Sequence, residues 1–127
     1  MHVTIEFDIP AQRIADQFIA AFESSSGSGY WLAGAKVKAG KERTNRDDPA
    51  YADPKLYDDH FVIELRLQER YERRTRYEIR PSDVAAGLRK MAQSHPMHFA
   101  DLIRDEGDAI TADIFLQLCA FGEIVYN

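Results

Sequence analysis

The sequence predicts an α+β domain, a mostly antiparallel sheet of about four strands with helices packed on one face, spanning residues 1–127. Three observations predict it. Apolar residues alternate with a period of two at 3–9, at 61–68 and again at 77–79. They recur every three or four residues at 14–22 and from 84 onward. Glycine, proline and serine fall between these runs and punctuate them. The length suits one domain with a core of its own.

Val3, Ile5, Phe7 and Ile9 alternate with His2, Thr4, Glu6 and Asp8, the pattern of a half-buried strand. Pro10 opens a helix over about 10–23, because its missing N–H costs nothing there. Ile14, Phe18 and Phe22 form the apolar stripe of that helix. Ser24–Gly29 ends it and serves as a short connection. YWLAGAKV then reads as a second strand. If Tyr30 and Trp31 begin that strand, their side chains point to opposite faces. Trp31 shares its phase with Ala33, Ala35 and Val37 and is expected to pack under the helices. Tyr30 is expected on the more open side. Such a pair serves core packing or, beside glycines, a ligand platform.

Residues 38–58 are polar, proline-containing and aperiodic, and are expected to form a mobile loop. A loose hairpin follows, about 60–68 with 75–80. Its outer face carries Glu64, Arg66, Arg76, Glu78 and Arg80. That face is either a solvated surface with cross-strand ion pairs or an anion-binding patch. Pro81 ends the sheet and Ser82 caps a helix bearing Val84, Leu88 and Met91. His95–Pro96 interrupts it. A short helix with Phe99, Leu102 and Ile103 stops at Gly107. Thr111 caps a last helix, with Ile114, Phe115 and Leu118 inward, closed by Gly122. EIVYN is long enough to add a terminal strand.

The composition narrows the function. A net charge of −5 argues against broad nucleic-acid binding. The mixture of 21 acids with 16 bases is too even for a mimic of DNA. No apolar run approaches the roughly 20 residues of a membrane span, and MHVTIEFDIP reads as a strand rather than a signal peptide. Cys119 is the only cysteine, so an internal disulfide and thiol-rich zinc frameworks are both excluded. A reducing cytoplasm is the natural compartment.

Candidate chemistry is sparse. Cys119 lies in an apolar helix, the setting of a small core residue rather than a reactive thiolate. Asp58, Asp59 and His60 are neighbours on an extended segment and cannot converge easily on a metal. His98 and Asp101 share a helix face and form either an acid–base pair or a local hydrogen bond. Asp108, Thr111 and Asp113 surround a helix N-terminus that either is simply capped or meets a ligand. No phosphate-cradling glycine loop, HExxH or nucleophile elbow is present. No cofactor and no metal are expected, and the chain reads more readily as a binder than as an enzyme. The ligand-contact set is Tyr30, Trp31, Arg66, Arg76, Arg80, Asp108, Thr111 and Asp113.

AAFESSSGSGYW and HFADLIRDEGDAITADIFLQLCAFGEIVYN together cover about a third of the chain. On these two stretches the chain resembles a family of small proteins encoded by bacteriophages and prophages. The family joins a helix end to a Tyr–Trp pair and carries HFAD, TADIFLQ and FGEIVY in order. The serine-rich stretch is an insertion relative to that pattern, Asn127 stands where the family has glycine, and 38–80 carries no match. The resemblance implies an accessory role in a host bacterial cytoplasm, of a kind that often counters host defence. Three functions follow as expectations. The first is sequestration of a small host ligand such as a nucleotide signal of the cyclic ADP-ribose type. The second is inhibition of a host defence protein, as anti-CRISPR proteins do. The third is a small hydrolase or transferase using His98 and Asp101. A homo-oligomer is compatible with each, and no membrane is implicated.

Overall fold

A computed structural model describes residues 1–6, 8–24, 27–68 and 74–127. The chain forms α1 (Ala11–Glu23), a 3-10 helix (Gly27–Tyr30), β1 (Leu32–Ala39), two 3-10 helices (Ala50–Ala52 and Pro54–Asp58), β2 (Val62–Leu67), β3 (Arg76–Ile79), α2 (Pro81–Ser94), α3 (Pro96–Arg104) and α4 (Ala109–Phe121). The three strands make one antiparallel sheet in the order β1-β2-β3. The class is therefore α+β.

Among the described residues the sheet has three strands rather than about four. The described residues of the first expected strand form none: Val3 and Ile5 are 63% and 78% exposed and join no strand, while Phe7 lies outside the described residues. Alternation makes a segment competent to be a strand but does not supply the neighbouring edge. EIVYN forms no strand either.

The core draws on both the sheet and the helices. Ile63, Leu65, Leu67 and Ile79 meet Phe18, Met91, Leu102, Phe115 and Leu118. Phe18 is its centre, stacked on Tyr57 at 5.3 Å and edge-on to Phe115 at 5.1 Å. Tyr57 belongs to the 38–58 stretch. That stretch carries its own anchors: Leu56 is buried, the Tyr57 hydroxyl donates to the Tyr51 carbonyl at 2.6 Å, and the Tyr51 hydroxyl donates to Glu23 at 2.9 Å. Burial, and then the Glu23 carboxylate, push the Tyr51 phenol up to about 12.

Several helix ends differ from the expected ones, each for a local reason. α2 starts at Pro81 with Arg80 as its N-cap residue, and the Arg80 N–H donates to the Asp83 carboxylate at 2.8 Å, so Ser82 is not the cap. α3 ends before Asp105, which takes the left-handed conformation (φ 60°), so the helix stops short of the expected Gly107. Asp108, not Thr111, caps α4: its carboxylate accepts from the Thr111 N–H at 3.0 Å. Gly122 closes α4 with φ 74°, as the sequence predicts.

α2 and α4 touch where Gly87 faces Cys119. A Cβ on residue 87 would lie 2.7 Å from Sγ and 2.9 Å from the backbone nitrogen of Cys119. Gly87→Ala gains about 1 kcal/mol of helix propensity, but the obstacle includes backbone that cannot rotate aside. Overpacking costs about 1–3 kcal/mol, so net destabilisation is expected in urea unfolding. A more stable Gly87→Ala protein would show that the two helices separate without penalty. Burial raises the Cys119 thiol well above its ordinary value, as suits an inert core residue.

Candidate functional site

The residues singled out in the sequence fall into three groups in space. The first is a buried network around Asp113 on α4. Its carboxylate accepts from the Trp31 indole at 2.8 Å, the Ser28 hydroxyl at 2.9 Å and the Gln117 amide at 3.0 Å. Trp31 is 0% exposed and stacks on Tyr126 at 5.3 Å. Trp31, expected among the ligand contacts, therefore has neither surface nor donor left for a ligand. Its burial also has a different cause from the one expected. The 3-10 helix ends at Tyr30, the Trp31 N–H donates to the Ser28 carbonyl, and β1 starts only at Leu32. A register shift between Leu32 and Gly34 resets the phase, so Leu32, Ala35 and Val37 pack on the core while Ala33 is exposed. Tyr30 is 38% exposed, the more open of the pair, and sits edge-on to Tyr126.

Gln117 was missed in the sequence. It is 0% exposed and makes four hydrogen bonds. Its Nε2 donates to Asp113 and to the Tyr126 carbonyl, and its Oε1 accepts from the Val125 and Tyr126 N–H groups at 2.9 and 2.8 Å. One side-chain amide thus pairs with the tail as a neighbouring peptide would. Ser28 and Trp31 are thereby joined to the C-terminal helix and tail.

The second group lies where α3 meets the start of α4. The Thr111 hydroxyl, 1% exposed with its residue, donates to Asp108 at 3.2 Å and sits 2.8 Å from His98 Nδ1. With its proton given to Asp108, the hydroxyl accepts from a protonated Nδ1 of His98. Nucleophile activation requires the imidazole between hydroxyl and carboxylate; here the hydroxyl is in the middle. His98 makes no hydrogen bond to Asp101 among the described residues. The Thr111 N–H, above all, holds the Asp108 carboxyl below its ordinary 3.8, with the Thr111 hydroxyl, the Ile110 N–H and His98 adding to it against desolvation. A lowered carboxyl stabilises the fold above its unfolded value, and that share is lost as pH falls through the folded value. Asp108→Ala should therefore flatten the acid limb of melting temperature below about pH 4. Superimposable limbs would remove the linkage.

The third group is the outer face of the sheet. Arg66 pairs directly with Arg76 across β2 and β3 and with Gly34 across β1 and β2. Like charges opposite one another destabilise a sheet. Glu64 relieves part of this: it takes Arg76 at 2.8 Å and Lys38 at 3.4 Å. Its partial burial raises its carboxyl, but Lys38, Arg76 and Lys36 together outweigh that and hold it below its ordinary value. Arg80 pairs with Glu78 at 3.2 Å. Among the described residues Arg66 has no ion-pair partner, and Lys36, opposite Glu64 across β1 and β2, makes no close salt bridge to it. The absence of a Cβ on Gly34 gives the Arg66 guanidinium room, since one would sit 3.3 Å from Nη2. Gly34, Lys36, Glu64, Arg66 and Arg76 line a concavity of about 290 Å³.

No protein-family profile, curated protein or solved structure matches the chain. Geometry therefore carries the reading. A concavity of about 610 Å³ is an apolar groove floored by Ile9, Ile14, Phe61, Val84, Leu88 and Phe99, and none of the expected site residues lines it. Among the described residues no three His, Cys, Asp or Glu side chains gather as metal ligands, and the Asp59 carboxylate accepts from the His60 N–H. No described helix is long and apolar enough to cross a membrane.

Proposed function

We propose that this chain is a non-enzymatic accessory protein of a bacteriophage or prophage. It acts in the host bacterial cytoplasm and binds a small anionic host ligand such as a nucleotide signal of a defence system. The helices cover one face of the sheet and leave the charged face to the ligand. One observation carries this reading: Arg66, without an ion-pair partner among the described residues and directly opposite Arg76, lies over a glycine in a concavity of about 290 Å³. A guanidinium kept beside a second cation on an otherwise acidic protein is a destabilising arrangement unless an anion completes it. The volume suits the phosphates of a nucleotide, with the base extending beyond them.

Calorimetry against a panel of nucleotides tests it. Binding that weakens with salt, and about tenfold or more in Arg66→Ala, is expected from the loss of a charged hydrogen bond of about 1.5–3 kcal/mol. Arg80→Ala, which removes a cation already paired with Glu78, should change little. Absence of heat across the panel, or equal affinity in Arg66→Ala, would sink the proposal.

The apolar groove favours a second reading, an inhibitor that docks on a host defence protein. Pull-down from a host lysate separates the two: a stoichiometric protein partner supports inhibition, and a co-purifying nucleotide supports sequestration. Turnover by His98 and Asp101 has less support, because His98 Nδ1 is already engaged by Thr111.

A further inference from the structure

β1 gives way at Gly40, whose φ of 144° favours glycine. A Cβ there would run into the Leu56 side chain and come 3.4 Å from the Phe61 Cβ. The chain therefore passes close over the core, and the following turn is held by its own hydrogen bonds. The Thr44 N–H donates to the Asp53 carboxylate at 2.6 Å, and the Asp47 N–H donates to the Asn45 side chain at 3.0 Å. No cationic side chain takes part in either bond. Yet residues 38–46 carry Lys38, Lys41, Arg43 and Arg46 against Glu42 alone, in a chain whose net charge is −5. Lys38 reaches Glu64 at 3.4 Å. Among the described residues Lys41, Arg43 and Arg46 make no salt bridge. Arg43 Nε donates to the Arg46 carbonyl at 3.1 Å, which fixes one edge of the guanidinium to the turn and leaves its terminal nitrogens outside that bond. All four cations line one concavity of about 400 Å³. Its other walls are Glu42 and small or aliphatic residues, with no aromatic ring among them.

We propose that this concavity is a second anion site, which takes the di- or triphosphate chain of a ligand and recognises that chain rather than the group attached to it. Four cations against one carboxylate suit a multiply charged anion better than a single carboxylate. Two guanidiniums on one turn match the paired oxygens of successive phosphates, and the lysines add charge without demanding geometry. A nucleobase gains little here, because stacking needs an aromatic face and the walls offer none. Crowded like charges on a turn held by other bonds are unfavourable until an anion joins them. The inference goes beyond the reading of Arg66, since the two concavities share no lining residue. Glu64 links them: it holds Lys38 of one and Arg76 of the other.

Calorimetry on the full chain with inorganic tripolyphosphate, pyrophosphate and ATP, in buffer free of divalent metal, tests this. Tripolyphosphate is expected to bind at least as tightly as ATP, and both more weakly as salt rises. Arg43→Ala/Arg46→Ala should weaken tripolyphosphate about tenfold or more without changing the melting temperature, because neither side chain is buried. Arg43→Lys/Arg46→Lys keeps the charge but loses both forks, so a weakening is expected there too. Arg66→Ala should leave tripolyphosphate binding unchanged, which separates this site from the outer-face one. Absence of heat with tripolyphosphate would overturn the proposal. So would equal affinity in either double variant, or citrate binding as tightly at the same ionic strength, since each reduces the site to diffuse charge. ATP binding without tripolyphosphate binding would overturn it as well, because recognition would then lie in the nucleoside.

Discussion

Trp31→Ala is expected to destabilise the protein by about 3–5 kcal/mol. The indole is among the largest fully buried side chains, lying against Phe121 at 5.4 Å and stacked on Tyr126. Its removal leaves a cavity between β1 and the C-terminal end of α4 and takes one of three donors from Asp113. Trp31→Phe separates the two effects. It keeps most of the ring contact and loses only the N–H, at a cost of about 1–3 kcal/mol. If the hydrogen bond matters as described, Trp31→Phe and Asp113→Asn should be non-additive in a double-mutant cycle. Urea unfolding measures all of these. A Trp31→Ala protein within the range of ordinary surface substitutions, about 0.5 kcal/mol, would show that the indole is not an anchor. Tyr30→Ala should fall in that range.

The second large effect is expected at Gln117. Replacement by leucine preserves approximate volume but removes four hydrogen bonds at once, leaving the Val125 and Tyr126 N–H groups, the Tyr126 carbonyl and one Asp113 oxygen without their partner. A buried polar group left unpaired costs about 1–3 kcal/mol. The tail can limit the loss by detaching into water, so about 2–4 kcal/mol is expected overall. Detachment has its own signature: fast amide exchange at 124–127 and a change in the fluorescence of Trp31, which loses its Tyr126 lid. Gln117→Glu is expected to be worse than leucine, because it sets a carboxylate against Asp113 and against the Tyr126 carbonyl. Wild-type stability and exchange in Gln117→Leu would refute the account of the tail.

Much of the local structure was legible in the sequence. The spacing of Ile14, Phe18 and Phe22 marks α1, and the alternation of Ile63, Leu65 and Leu67 marks β2 and predicts its hairpin with β3. Gly122 marks the end of α4, where a left-handed residue is needed. The cap residues were less legible. Thr111 and Ser82 are both good capping types, but Asp108 and Arg80 occupy the cap positions. Several polar residues near a helix start compete for one position, and the approach path of the preceding loop selects among them.

The candidate site was legible only as a list of residue types. Arg66, Arg76 and Arg80 are all basic residues on one strand face in the sequence. Which one lacks a partner depends on Glu64 turning to Arg76 and Lys38, and Glu78 turning to Arg80. Trp31 and Asp113 are 82 residues apart and carry no signal of their contact. Gln117 looks like any polar residue on a helix, yet four separate groups converge on it.

Periodicity and breaker residues, which act between near neighbours in the chain, determined by themselves which segments become helices and which become strands. Tertiary structure alone decided that Val3 and Ile5 stay out of the sheet, that Trp31 is an anchor and that Arg66 has no ion-pair partner among the described residues. Each of those outcomes is set by edges, donors and charges contributed from distant parts of the chain. Local pattern makes a segment competent to pair, and only the assembled fold supplies or withholds its partner.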